Sequence, residues 1–155
     1  MPAHSPPALL SLLTGRETEI LGLVADGLAN SEIAARTGLA EDTVKGYLRS
    51  LRTKLGTSRR PALADLACRA GHEAWPAGAE AVRPALSEEE TTTLRLLARG
   101  AGAKEVAKAQ LMSHQGAKKH IRRLLDKIGA ADAVHGVSLA WSWDILNAGA
   151  GVGSR

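Results

Sequence analysis

The chain is expected to be all-α, built as two tandem four-helix units. Three observations predict this. Apolar residues recur at three- and four-residue spacing, the period of a helix with one buried face. Glycines interrupt that pattern at Gly27, Gly38, Gly56, Gly100 and Gly129. The chain also matches itself at an offset of 73 positions, without a gap from 13 to 56. Leu13 falls on Leu86, Thr14 on Ser87, Glu17 on Glu90, Leu21 on Leu94, Gly27 on Gly100 and Glu32 on Glu105. Farther along, Lys45 falls on Lys118, Arg49 on Arg122, Lys54 on Lys127 and Gly56 on Gly129. A register that long marks an internal duplication.

The elements follow in order. "TGRE" at 14–17 and "SEEE" at 87–90 are capping boxes, each opening the first helix of its copy. The hydroxyl accepts from a free N–H, and the glutamate three residues on answers it. Gly27 and Gly100 end those helices. A short second helix is expected from Ser31 to about Thr37, capped by Asn30 or Ser31. Gly38 breaks the chain, and a third helix runs from about Glu41 to Leu55. Val44, Tyr47, Leu48, Leu51 and Leu55 form its apolar face. The fourth begins near Pro61, since proline suits the first helical position. In the second copy the fourth element is "AVHGVSLAWSWDILNA", capped by Asp132. The expected organisation is a first domain at 12–70, a linker at 71–85, a second domain at 86–146 and a flexible tail at 147–155.

Bulk properties narrow the function classes. Of 155 residues 45% are hydrophobic, yet there is no Phe and one Tyr, so the core rests on Leu, Ala, Val and Ile. A formal charge of +4 is a mild bias toward polyanions and decides nothing alone. Each copy carries nine Lys plus Arg against seven Asp plus Glu, so gross charge does not separate them. The single cysteine, Cys68, rules out an intrachain disulfide and reads as a packing residue. No apolar run approaches the roughly 20 residues of a membrane helix. The start lacks a basic leader pattern. A cytoplasmic protein with no membrane partner is expected. Neither a phosphate loop nor a metal cluster nor a nucleophile paired with histidine is present, so no enzyme, cofactor or metal site is expected. His120 has no second ligand at suitable spacing and reads as a packed or hydrogen-bonded histidine.

A short helix, a tight turn and a longer helix suit a DNA groove. The first braces on the backbone while the second projects toward base edges. The longer helix then needs donors or small residues near its N-terminal half. Copy 1 supplies Thr43, Lys45, Gly46, Arg49 and Ser50, and copy 2 supplies Lys118, Lys119, Arg122 and Arg123. Gly46 costs about 1 kcal/mol in mid-helix relative to alanine, which suggests a close approach to the backbone there.

The text "LTGRETEILGLVADGLANSEIAARTGLAEDTVKGYLRSLRTKLG" resembles the four-helix, LuxR-type helix-turn-helix domain of bacterial transcription regulators. The resemblance covers 12–70 and, more weakly, 86–146. It implies double-stranded DNA as partner, with Lys45, Gly46 and Arg49 facing bases, and Thr43 and Asn30 near phosphates. It makes Glu17 a structural tie and the fourth helix a dimerisation element. Copy 1 departs from the pattern at Ala40, where a hydroxyl cap is usual, and at Tyr47, where histidine is usual. Copy 2 restores both with Ser113 and His120. It replaces "TVK" by "GAK" at 116–118, the asparagine by Ala103, and the turn glycine by Leu111.

The leading expectation is a sequence-specific transcription regulator that reads the major groove. Copy 1 should discriminate bases, while the denser cations of copy 2 should favour phosphates. The alternative is a protein-interaction module that binds another regulator or RNA polymerase through copy 2. Trp141, Trp143, Ile145 and Leu146 offer interface anchors, and they favour a homodimer over a single chain spanning two half-sites.

Overall fold

The computed structural model describes residues 8–57, 59–72 and 83–146. The expected tail, and most of the expected linker, lie outside the described residues. A 3-10 turn at Ala8–Leu12 precedes eight helices among the described residues. The first copy holds α1 (Gly15–Ala25), α2 (Asn30–Thr37), α3 (Glu41–Leu55) and α4 (Arg60–Arg69). The second holds α5 (Glu88–Ala98), α6 (Ala103–Ala109), α7 (His114–Ile128) and α8 (Ala133–Ser142). The fold class is the all-α tandem expected.

Both capping boxes close at the starts of α1 and α5. Glu17 N donates to Thr14 Oγ1 at 3.1 Å, and Thr14 N to Glu17 Oε1 at 2.9 Å. Ser87 and Glu90 repeat the exchange at 3.0 and 2.9 Å. The cap of α2 is Ala29, not Asn30 or Ser31. Alanine has no acceptor, so only the returning half survives: Ala29 N donates to Glu32 Oε1 at 2.7 Å. Gly102 and Glu105 do the same for α6 at 2.8 Å. Ala40 gives α3 no side-chain cap, whereas Ser113 Oγ accepts from Gly116 N at 2.9 Å on α7.

The turns obey the expected geometry in copy 1 and violate it in copy 2. Gly38 sits at φ +77°, a left-handed conformation that suits glycine. Leu111 occupies the matching position at φ +57° and is 94% exposed. At the far end, α8 stops at Ser142. The apolar stretch therefore breaks at Trp143 and at Asp144, which has φ +63°, rather than running on as one helix.

Ile20, Val24, Ile33, Val44, Leu48, Leu51 and Leu63 are buried in copy 1, and Leu94, Leu97, Leu124, Ile128 and Val137 in copy 2. They belong to one apolar cluster that runs through both copies. The joint is α4 packed on α8, flanked by α1 against α8 and α5 against α4. Ser138 Oγ donates to Ala25 O at 2.9 Å across it, in a buried position. Trp141 Nε1 donates to Asp65 Oδ1 at 2.7 Å, while Arg69 Nη2 holds Asp65 Oδ2 at 3.0 Å. The Arg69 guanidinium also lies 5.6 Å from the Trp141 ring centroid. Trp143, Ile145 and Leu146 are buried in the same cluster. The apolar surface that favoured a homodimer is thus covered within one chain. Cys68 is buried, in keeping with a packing role.

Candidate nucleic-acid interface

The exposed side of α3 carries Thr43, Lys45 and Arg49, all open to solvent. Val44, Leu48 and Leu51 turn the opposite side into the core. Lys45 and Arg49 stand one helical turn apart on the free face. Lys45 Nζ lies 3.9 Å from Asp42 Oδ1, and both side chains are largely exposed. Such a pair holds a charge only weakly, leaving Lys45 available. Gly46 sits between them. A Cβ built there meets nothing within 4 Å. The chain's own packing therefore gives no reason for glycine at this position.

Two of the expected contact residues hydrogen-bond within the chain. Ser50 Oγ donates to Glu17 Oε2 at 2.6 Å, and Lys54 Nζ donates to Glu17 Oε1 at 2.7 Å. Glu17 is almost fully buried and ties α1 to α3. Lys54, then Ser50 and the Thr14 N–H, hold its carboxyl at about 2, below the ordinary 4.5. Ser50 is therefore part of this structural tie. Asn30 is half-buried, with Oδ1 accepting from Arg60 Nη1 at 3.0 Å; Arg60 Nη2 also donates to Leu28 O at 2.8 Å. That bond anchors the start of α4 beside α2, a role sequence reasoning missed. The signal was present: at the 73-residue offset, Asn30 and Arg60 both become alanine, as Ala103 and Ala133.

On α7 the four cations Lys118, Lys119, Arg122 and Arg123 are all exposed. None forms a salt bridge among the described residues. Arg123 replaces Ser50, so the inward tie of copy 1 becomes an outward charge. Lys127 Nζ alone reaches Glu90 Oε1, at 2.9 Å, and lowers that carboxyl's pKa together with the Ser87 N–H. His120 is hydrogen-bonded, as expected. Thr93 Oγ1 gives its proton to Glu89 O at 2.9 Å and accepts from Gln110 Nε2 at 2.9 Å. His120 Nε2 lies 2.7 Å from the same hydroxyl oxygen, so the histidine joins α7 to α5 through this small polar network. Among the described residues, no cluster of His, Cys, Asp and Glu is placed to hold a metal ion. No helix there is long and apolar enough to cross a membrane.

Two units of short helix, turn and exposed basic helix, joined through their fourth helices, define a tandem helix-turn-helix protein. The sequence profile of the family described as bacterial regulatory proteins, luxR family, matches residues 11–67 and again 84–140. The chain belongs to that family. It is 49% identical over 57 residues to the probable transcriptional regulatory protein SgaR of Hyphomicrobium methylovorum. It is 53% identical over 51 residues to the DNA-binding transcriptional activator DevR/DosR of Mycobacterium tuberculosis. These matches cover 37% and 33% of this chain, and 26% and 24% of the relatives. The chain thus spans about a quarter of the length of the curated relatives it matches. No solved structure matches it.

Proposed function

We propose that the chain binds double-stranded DNA as a transcription regulator and reads the major groove with α3. The observation that carries this is the free row of Thr43, Lys45 and Arg49 around Gly46, whose missing Cβ leaves open space. A glycine that costs helix stability without an internal partner fits a backbone that another molecule approaches closely. Lys45 and Arg49 have the reach and donors for base edges, and Thr43 for phosphate. The α7 cations, Lys118, Lys119, Arg122 and Arg123, serve phosphates, which position without specifying sequence. Family membership and the similarity to DevR/DosR, a DNA-binding transcriptional activator, support the same reading. The α4–α8 core favours a tandem reader in one chain, because the anchors first assigned to a homodimer are already covered. For the same reason, Trp143, Ile145 and Leu146 offer little to an outside protein partner.

The test is binding of the full chain to duplex fragments selected from genomic DNA. Replacing Lys45 or Arg49 with alanine should weaken the selected site by about 1 to 3 kcal/mol each. Non-selected duplex should lose less. Specific affinity left intact in both variants would refute groove reading by α3.

A further inference from the structure

Between α7 and the entry to α8 lies a cleft of about 540 Å³, walled by Ala103, Lys118, Lys119, Arg122, Leu125 and Ala133 among others. The duplication explains its origin. In copy 1 Arg60 stands at the position of Ala133, bonded to Asn30 Oδ1 at 3.0 Å and Leu28 O at 2.8 Å. In copy 2 the arginine has become Ala133 and its anchor Ala103. Both halves of the pair are gone together. Two more exchanges change the lining: Arg52 becomes Leu125, an apolar residue in place of a cation, and Gly46 becomes Lys119, an added cation.

We propose that this cleft binds a small amphipathic anion: an aromatic or short acyl body with a carboxylate, sulfonate or phosphate group. The volume suits a molecule of one or two rings. Ile121, Leu125, Ala103 and Ala133 offer apolar surface to the body, and Lys118, Lys119 and Arg122 face the anionic group. None of the three cations forms a salt bridge among the described residues. The one carboxylate of the lining, Asp132, already caps α8 by accepting from His135 N at 2.9 Å, and three cations leave the lining with net positive charge. A duplex phosphodiester could meet the cations but has nothing to cover the apolar lining. Lys118, Lys119 and Arg122 also belong to the row assigned to DNA phosphates. An occupant therefore competes with duplex at copy 2; this regulatory clause rests on the proposed function, and the binding site does not.

The experiment uses the full chain and the probe 8-anilinonaphthalene-1-sulfonate, first without DNA. Saturable one-to-one binding is expected, with amide shifts in the nitrogen–proton spectrum centred on Ala103, Lys118 to Arg122, and Ala131 to Ala133. The uncharged analogue N-phenyl-1-naphthylamine should bind at least about tenfold more weakly, and the double variant A103N/A133R, which restores the pair, should lose the probe to a similar degree. K118A/R122A leaves the buried packing untouched and should weaken the probe by a comparable factor. Shifts centred elsewhere, equal binding of the uncharged analogue, or full binding to K118A/R122A would overturn the site. A second arm adds duplex DNA. Mutual displacement supports the competition, and a probe seated in the cleft without effect on duplex affinity removes the regulatory clause alone. A chain that binds the probe but no duplex would sink the DNA reading and leave the site standing.

Discussion

At the level of single residues, the DNA approach proposed at Gly46 and the structural tie made by Glu17 divide α3 between them. Gly46 has room for a methyl group, so nothing internal opposes G46A. That substitution should stabilise the chain by about 0.5 to 1 kcal/mol, the helical advantage of alanine. If the glycine exists to admit DNA, the same variant should lose specific affinity. Thermal melting and duplex titration read the two effects, and a stabilised variant with undiminished affinity would show that no close approach occurs there. Glu17 works on the other side of the helix. Its folded carboxyl sits at about 2 against an ordinary 4.5. The unfolded chain therefore takes up the proton first as pH falls, and the stabilisation is complete above about 4.5 and fades toward 2. E17Q should cost about 1 to 3 kcal/mol at neutral pH, as expected for hydrogen bonds to a charged group. Urea midpoints of wild type and E17Q should draw together between pH 6 and pH 3; a constant gap would mean the charge is irrelevant.

Among the elements, the two copies make different compromises from one plan. Copy 1 has the correct turn residue, Gly38, but no hydroxyl cap on α3; copy 2 has the cap, Ser113, but a leucine in the turn. Leu111 carries two costs, a left-handed backbone and an almost fully exposed apolar side chain. L111G should relieve strain of about 1 to 2 kcal/mol. Part of that is returned because glycine frees the unfolded chain, leaving a net gain of about 0.5 to 1 kcal/mol. Chemical denaturation measures it, and a loss of stability would mean that Leu111 is held by contacts beyond its own turn. The eight helices were legible because capping boxes, glycines and apolar spacing are local signals, and the duplication supplied each of them twice. The internal bonds of Asn30 and Ser50 were not legible because their spacing suits a free helix face equally well. What sets those bonds is tertiary: Arg60 for one, and the Glu17 carboxylate for the other. The break at Asp144 was hidden for the same reason, since a continuous apolar run does not say where a helix must bend to fill a core.

For the whole molecule, the decisive relation is the one between α4 and α8. Groove-reading helices on one side of a duplex stand about 34 to 36 Å apart, one helical turn. The 14 residues of 71–84 could reach about 46 Å at about 3.3 Å per residue, so the chain length alone permits adjacent half-sites. Reach does not fix orientation, but a shared core does. Trp141, Asp65 and Arg69 lock the two copies by directional bonds, and Trp143, Ile145 and Leu146 are buried in the shared core. The wild-type protein should therefore run as one chain of 16.2 kDa at micromolar concentration and protect two adjacent turns of a selected site, one chain per site. Removing the indole donor with W141F leaves Asp65 with an unmet acceptor at the joint. That should cost about 1 to 3 kcal/mol of stability. It should also widen the tolerance for half-site spacing, because the heads are then less firmly oriented. Light scattering gives the mass, and binding to duplexes with one to three base pairs inserted between half-sites gives the tolerance. A stable wild-type dimer in solution, or identical spacing profiles for wild type and W141F at full occupancy, would show that the α4–α8 contact does not set the geometry of reading.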